Sequence, residues 1–294
     1  MRGRSSRVVQ QMALALVLAL PSTVRAHGIP VDVAFWGHFP ADAAQCQRML
    51  SRAAAVCARQ ALRAHFVCLE AAMAGSQCVP AALEEEVAAV EQDAAQRVAA
   101  ACTELAQVQT LRFIDIPEVL TDVRNTCREL DAFAAATVYG PAMVPSPPDL
   151  GDDTVRTCIA NAARSAAKLL WFAVRAQRRA FDQIATIDLN PSAKRALLER
   201  ARRRIAAAQE RTRAYLEARC PADDFDAIYR RQPRRILETI AQRADCFAER
   251  VYIQSTVTCP IAVCGNGIAE PGETCDDGND HDDDSCPSDC MRRP

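Results

Sequence analysis

The stretch CQRMLSRAAAVCARQALRAHFVC, residues 46–68, places a small or apolar side chain at every third or fourth position. This stripe comprises Cys46, Leu50, Ala53, Cys57, Ala61, Ala64, Cys68 and Ala71. Because an α-helix has about 3.6 residues per turn, the spacing puts all these side chains on one helical face. The stretch therefore predicts a long helix that buries an alanine-rich face.

Three cysteines of this helix, Cys46, Cys57 and Cys68, stand eleven residues apart. At a rise of about 1.5 Å per residue, neighbouring cysteines are roughly 16 Å apart along the helix. A disulfide needs a Cα–Cα separation of roughly 4.4 to 6.8 Å. We therefore expect each of the three to pair with a cysteine on another segment.

The rest of the central chain also reads as helices, whose starts are marked by proline or by a capping Asp or Asn. One predicted helix begins at Pro80, and the next begins near Pro117 and ends by Gly140-Pro141. In the second half, the predicted helices run from Asp152 or Asp153 to Ile184, from Asn190-Pro191 to Arg219, over 222–231 and over 233–253. The segment 29–36 alternates weakly and reads as an extended arm. We expect an all-α fold of antiparallel helical hairpins, or a bundle, stapled by disulfides.

Changes in composition divide the chain into five parts. Residues 1–26 have a basic start, a short apolar run and a small-residue cleavage signal, so they predict a signal peptide. Two helical subdomains are expected at 27–140 and 153–258, separated by a proline-rich linker at 141–152. Residues 259–294 predict a small, irregular, disulfide-rich and acidic C-terminal module.

The signal peptide and the cysteine content together predict the compartment. Fourteen cysteines behind an export signal are typical of a disulfide framework formed in an oxidising space. We therefore expect a secreted protein, extracellular or at the cell surface, with the periplasm as an alternative. No stretch of the mature chain approaches the roughly 20 apolar residues of a membrane span.

All fourteen cysteines are predicted to form disulfides: Cys46, Cys57, Cys68, Cys78, Cys102, Cys127, Cys158, Cys220, Cys246, Cys259, Cys264, Cys275, Cys286 and Cys290. Paired positions of a helical hairpin have a constant sum, and Cys158 with Cys220 centres on the Asn190-Pro191 turn. We therefore predict this disulfide. The same rule allows Cys102 to pair with either Cys46 or Cys57.

The cysteine spacing suggests an internal repeat. The intervals from Cys46 to Cys102 and Cys127 resemble those from Cys158 to Cys220 and Cys246. A doubled three-helix unit explains this similarity, and coincidence among many cysteines is the alternative.

The tail CGNGIAEPGETCDDGNDHDDDSCPSDC, residues 264–290, carries the most specific motif. It resembles the myxobacterial cysteine-rich disulfide repeat, a module of extracellular proteins without a defined activity. The resemblance covers only this segment, and Asp283 and Ser285 stand where the family commonly has glycine. It implies display outside the cytoplasm.

Two metal sites are candidates. In the tail, the oxygens of Asp276, Asp277, Asn279, Asp282 and Asp284 suit calcium, although these residue types also make ordinary turns. At the mature N-terminus, the amine and imidazole of His27 are candidates for binding copper, completed by His38 or His65, which requires these groups to converge in space. An exposed arm that ends in histidine is the simpler interpretation of His27. His281 could assist a metal in the tail, with equally little support from the sequence.

A basic stretch runs from Arg175 to Arg213. Its charged residues include Arg178, Arg179, Lys194, Arg200, Arg202, Arg203, Arg204, Arg211 and Arg213. They can attract an anionic partner such as a surface polysaccharide, dock the protein's own acidic tail, or form a solvated helix face. Without interleaved aromatic residues, the stretch does not predict nucleic-acid binding.

The sequence contains no recognisable catalytic motif, so we expect a non-enzymatic protein. The predicted function is that of a secreted, disulfide-stabilised helical structural or binding protein, whose acidic tail makes contacts or binds a cation. Its partner would be an extracellular protein or a surface polysaccharide. A copper-binding protein that uses His27 is the alternative.

Overall fold

The computed structural model describes residues 37–143, 152–229, 232–252, 273–275, 286–287 and 290–291. Within these residues the regular secondary structure is entirely helical, which confirms the all-α prediction. The helices are α1 Ala41–Met73, α2 Pro80–Ala101, α3 Leu105–Thr110, α4 Ile116–Met143, α5 Asp153–Thr186, α6 Pro191–Glu217, α7 Ala222–Tyr229 and α8 Pro233–Val251. The predicted extended arm at 29–36 lies outside the described residues.

The predicted capping residues begin the two long helices of the second half. Asp152 Oδ1 accepts a hydrogen bond from the Thr154 amide at 2.7 Å, and Asn190 Oδ1 accepts one from the Ala193 amide at 2.9 Å. Pro191 follows as the first helical residue, where its missing N–H costs nothing. Side-chain oxygens thus satisfy amides that the first helical turn leaves without partners.

Two helix predictions need correction. α4 continues to Met143, past the predicted end at Gly140-Pro141, so the start of the predicted linker is helical. A proline so near the end of a helix removes few of its hydrogen bonds. The short helix α3 was not predicted, although Glu104 and Gln107 form a capping box at its start.

Each half of the chain has the same arrangement of helices. α1 packs against α2 and α4, and α5 packs against α6 and α8, with α3 or α7 as a short connector before the last helix. Cys46 and Cys158 are each the sixth residue of their helix. When the helices are aligned on these cysteines, equivalent positions are buried: Leu50 with Ala162, Ala54 with Ala166, and Ala61 with Ala173. These correspondences support the doubled unit.

The halves pack together through equivalent helices. α1 contacts α5 and α4 contacts α8, which is the pattern of a two-fold symmetric dimer. The Phe39 amide donates to the Ala185 carbonyl at 2.8 Å, and the Tyr229 hydroxyl donates to the Val138 carbonyl at 3.0 Å. One hydrophobic core includes residues of both halves. The two predicted helical subdomains therefore share this core, in which α1 contacts α5.

The disulfides connect helices as the spacing argument requires. Cys158 pairs with Cys220 at a Cα–Cα distance of 5.1 Å, which confirms that prediction. Cys102 pairs with Cys46, leaving Cys57 to join α1 to α4. The observed pairs are Cys46–Cys102, Cys57–Cys127, Cys68–Cys78, Cys158–Cys220 and Cys275–Cys286. Cys246 and Cys290 are also disulfide-bonded, whereas Cys259 and Cys264 lie outside the described residues.

The described part of the tail is held together by one disulfide and one backbone hydrogen bond. Cys275–Cys286 is a pair within the tail, and the Thr274 amide donates to the Cys290 carbonyl at 2.9 Å. No helix in the described ranges combines the length and apolarity needed to cross a membrane.

Each disulfide should contribute to the free energy of unfolding according to the length of the loop that it closes. We expect replacement of both Cys158 and Cys220 by alanine to lower the free energy of unfolding by about 4 kcal/mol, because the pair closes a long loop in the unfolded chain. The double alanine variant of Cys68 and Cys78, separated by only 10 residues, should lose about 2.5 kcal/mol. Guanidinium unfolding of both variants measures the difference, and an equal loss would contradict this account.

Candidate functional site

The predicted metal-binding residues do not form a described site. His27 and all five candidate calcium ligands lie outside the described residues, so those predictions stay open. His38 precedes α1 and lies 3.7 Å from Asp188, whereas His65 is roughly 36 Å further along the same helix at 1.5 Å per residue. A copper site that joins both histidines to His27 is therefore excluded. Among the described residues, no group of three or more His, Cys, Asp and Glu side chains is placed to hold a metal.

Some arginines of the basic stretch form ion pairs within α6. Arg202 pairs with Glu199 at 3.0 Å, and Arg213 pairs with both Glu210 and Glu217 at 2.9 Å. These side chains are neutralised within α6, as expected for acids and bases three or four residues apart. They form the solvated helix face that was one of the interpretations from sequence.

Three other arginines of this stretch line a groove between α5 and α6. Arg179 is exposed on α5, and Arg200 and Arg204 are exposed one helical turn apart on α6. Within the described part of the chain, none of the three has a carboxylate within ion-pair distance. The groove thus combines three positive charges that no carboxylate pairs with directly, which is an arrangement suited to an anion.

The groove has the size and the floor of a binding site. Its volume is about 530 Å³, which lies within the usual range for small-ligand sites. Ala176, Ala180, Ala201 and Leu197 form its apolar part, and Gln183 adds an amide. Because alanine side chains end at Cβ, the floor lies low between the long arginine side chains on either side.

One carboxylate, Asp182, also lines the groove. Its Oδ1 accepts hydrogen bonds from the Tyr252 hydroxyl at 2.8 Å and from the Ser51 hydroxyl at 3.4 Å. Tyr252 is fully buried and stacks on Phe181 with ring centroids 5.0 Å apart. Burial raises the pKa of Asp182, while the hydrogen bond from Tyr252 and the charge of Arg178 oppose that shift. The carboxylate is thus held in place by α1 and by the residue that follows α8.

The first half has different residues at the positions that line the groove, although its helices correspond. When the halves are aligned on their disulfides, Val67 occupies the position of Arg179, and Cys68 occupies that of Ala180. Cys68 forms a disulfide with Cys78, whereas Ala180 lines the groove of the second half. Ala82 and Glu86 correspond to Arg200 and Arg204. The arginines and the open floor therefore distinguish one half from the other.

A second cluster of charged groups lies between α4 and α8. Arg250 pairs with Glu129 at 2.5 Å, and the buried Oδ2 of Asp122 has no hydrogen-bond partner among the described residues. Burial raises the pKa of Asp122 to about 7, with Arg250 opposing the shift, and burial likewise raises the pKa of Glu249 to about 7. These groups join the two halves of the fold, and the groove is the better candidate for a ligand because it is open.

The sequence analysis named the arginines of the groove, but it did not predict which three of them lie together around it. Asp182 was missed because its role depends on Ser51 and Tyr252, which are distant in sequence. A sequence signal for the paired arginines was available. Arg202 and Arg213 lie three or four residues from glutamates, at Glu199, Glu210 and Glu217, and this spacing identifies them as paired on α6.

No known protein family, curated protein or solved structure matches the chain. The groove therefore has to be interpreted from the geometry and chemistry of its own residues.

The charged cluster between the halves should make stability depend on pH. With folded pKa values near 7, Asp122 and Glu249 bind more protons in the folded than in the unfolded chain between about pH 4 and 7. The free energy of unfolding should therefore fall as the pH rises through this range. Asp122→Asn removes one of these groups, so it should raise the free energy of unfolding by about 1 to 2 kcal/mol at pH 8 and little at pH 4.

Urea unfolding of the Asp122→Asn variant and the unaltered protein at both pH values tests this prediction. Asp93→Asn is a suitable control, because Asp93 is an exposed carboxylate paired with Arg97 on α2. That change should alter the free energy of unfolding by no more than about 0.5 kcal/mol. A lower stability of Asp122→Asn at pH 8 would show that the ionised carboxylate is stabilising instead.

Proposed function

We propose that this chain is a secreted, disulfide-stabilised helical binding protein that holds an anionic extracellular ligand in the groove between α5 and α6. The observation that carries the proposal is the set of three exposed arginines, Arg179, Arg200 and Arg204, around an alanine floor without a paired acid. Guanidinium groups present several N–H donors in a fixed plane, so they suit carboxylate, sulfate or phosphate groups.

The extracellular location is supported by two independent features. The first 26 residues have the composition of a signal peptide, and the described cysteines are all oxidised. Disulfides of this number persist in oxidising compartments and are rare in reducing ones. The resemblance of the tail to a repeat of extracellular proteins points in the same direction.

Binding is favoured over catalysis by the chemistry of the groove. Arginine keeps its proton near neutral pH, so it does not act as a general acid or base there. The one carboxylate, Asp182, accepts hydrogen bonds from Tyr252 and Ser51 at a single oxygen. Among the described residues no histidine, cysteine, serine or lysine lines the groove beside it, so the lining can attract and orient an anion but does not pair a nucleophile with a base.

The acidic tail is proposed as a second contact or cation-binding module. Its candidate calcium ligands lie between Cys275 and Cys286, whose disulfide closes the intervening segment into a small loop. Such closure lowers the conformational entropy that a metal or a partner would otherwise have to remove. The tail would act separately from the groove, because Glu273 influences Arg243 on α8 rather than the groove arginines.

Substitution of the groove arginines should abolish most of the binding to anionic polymers. We expect the triple variant Arg179→Gln, Arg200→Gln and Arg204→Gln to bind both polyglutamate and polygalacturonate at least about tenfold more weakly at low salt. The unaltered protein should itself bind more weakly as the ionic strength rises, since exposed charges are screened. Binding can be measured by biolayer interferometry with the immobilised polymers.

A matched control removes the same charge from the same helices. Arg175, Arg203 and Arg211 are exposed on α5 and α6 but do not line the groove. Their triple glutamine variant should retain most of the affinity. If both triple variants lose binding equally, net charge rather than the groove attracts the polymer, and if the unaltered protein binds neither polymer, the proposed function is wrong.

A further inference from the structure

Asp182 is an unexpected residue in a groove that attracts anions. It adds a negative charge to a groove that Arg179, Arg200 and Arg204 also line, yet it forms no ion pair with any of them within the described residues. The arginines whose charges act on it are Arg178 and Arg48 instead. Asp182 is therefore not simply a counter-ion that neutralises the groove.

One oxygen of Asp182 is available to a ligand. Both hydrogen bonds from Tyr252 and Ser51 are accepted by Oδ1. Oδ2 receives no hydrogen bond among the described residues, and it is not among the buried atoms that lack a partner. A carboxylate accepts several hydrogen bonds, so Oδ2 of this groove-lining residue can accept one from a ligand.

The groove combines groups that bind an anion with one group that accepts a hydrogen bond. The arginines can bind an anionic group, whereas Asp182 Oδ2 can accept a hydrogen bond only from a ligand that carries a donor such as a hydroxyl. Ala176, Ala180 and Ala201 provide an apolar floor against which the C–H groups of a sugar ring can pack. An acidic sugar carries an anionic group, hydroxyls and C–H groups on one small ring.

We infer that the ligand of the groove is an acidic polysaccharide, whose anionic group pairs with Arg179, Arg200 and Arg204 while a sugar hydroxyl donates to Asp182. The inference rests on the proposed function, because it specifies the ligand class of the same groove. Asp182 is the residue that distinguishes a hydroxyl-bearing polyanion from one that has only charge.

Two other anionic occupants fit the groove less well. A nucleic acid would add bases that stack on aromatic side chains, but the groove-lining residues are alanines, a leucine and polar residues. The protein's own tail is acidic, but the charge of its described acid, Glu273, acts on Arg243 of α8.

Comparison of two polymers with the same anionic group tests the role of the hydroxyls. Polygalacturonate and polyglutamate both carry carboxylates, but only the first has hydroxyls. The unaltered full-length protein should bind polygalacturonate about fivefold more tightly per carboxylate than polyglutamate. Acetylation of the polygalacturonate hydroxyls should remove this preference without a change in the protein.

The variant Asp182→Asn tests the residue itself. Because Tyr252 and Ser51 both donate to Oδ1, the asparagine oxygen should keep that position and its NH₂ group should replace Oδ2. An acceptor thus becomes a donor. The variant should bind polyglutamate more tightly, and the ratio of the two affinities should fall from about five to about one.

The outcomes separate the two proposals. If the unaltered protein binds both polymers equally and acetylation has no effect, the polysaccharide inference is overturned while the proposed anion binding stands. If polyuridylate binds more tightly than polygalacturonate, the ligand is a nucleic acid and the inference is also overturned. If no polymer binds, both proposals fail. Should Asp182→Asn not fold, acetylation of the polymer decides the question with the native protein.

Discussion

The structure depends on disulfides that hold alanine-faced helices in register. An alanine face buries little area per residue, so the hydrophobic gain of each helix pair is small. Cys46–Cys102 and Cys158–Cys220 each close a hairpin at the end opposite its turn. With one end joined by the chain and the other by a covalent bond, two helices cannot slide past each other. The contact between the two halves and the rest of the helix packing depend on this fixed alignment of the two helices in each hairpin.

The two-fold arrangement explains how one half can be modified without loss of the fold. Equivalent helices contact each other at the centre, whereas α2 and α6 lie at the outer sides of their halves. The outer surface of α6 is therefore free of the packing that constrains α5 and α8. Cys68, which is bonded to Cys78, stands in the first half where the second half has the groove-lining Ala180, so the cross-link and the groove lie in different halves.

Local rules predicted most of the fold, and long-range contacts account for what was missed. Asp152, Asn190 and Pro191 marked helix starts because capping acts over three residues, and Cys158–Cys220 followed from hairpin geometry. The choice between Cys46 and Cys57 for Cys102 depended on α4, which supplies Cys127. The shared core was not predicted because an alanine face does not indicate its partner. The candidate site was predicted only as a basic stretch, since Asp182 is placed by Ser51 and Tyr252 from two distant segments.

The alanine content that makes the core thin also creates the groove. Where two helices are faced with alanine, their backbones approach closely, and longer side chains at the edges extend past the floor. Leucine at Ala176, Ala180 or Ala201 would bury more area but would fill the space between Arg179 and Arg200. A chain with larger apolar residues would need fewer disulfides and would lose this concave surface. Extensive cross-linking is thus the physical condition under which a helical hairpin can keep an open, charged groove on its side.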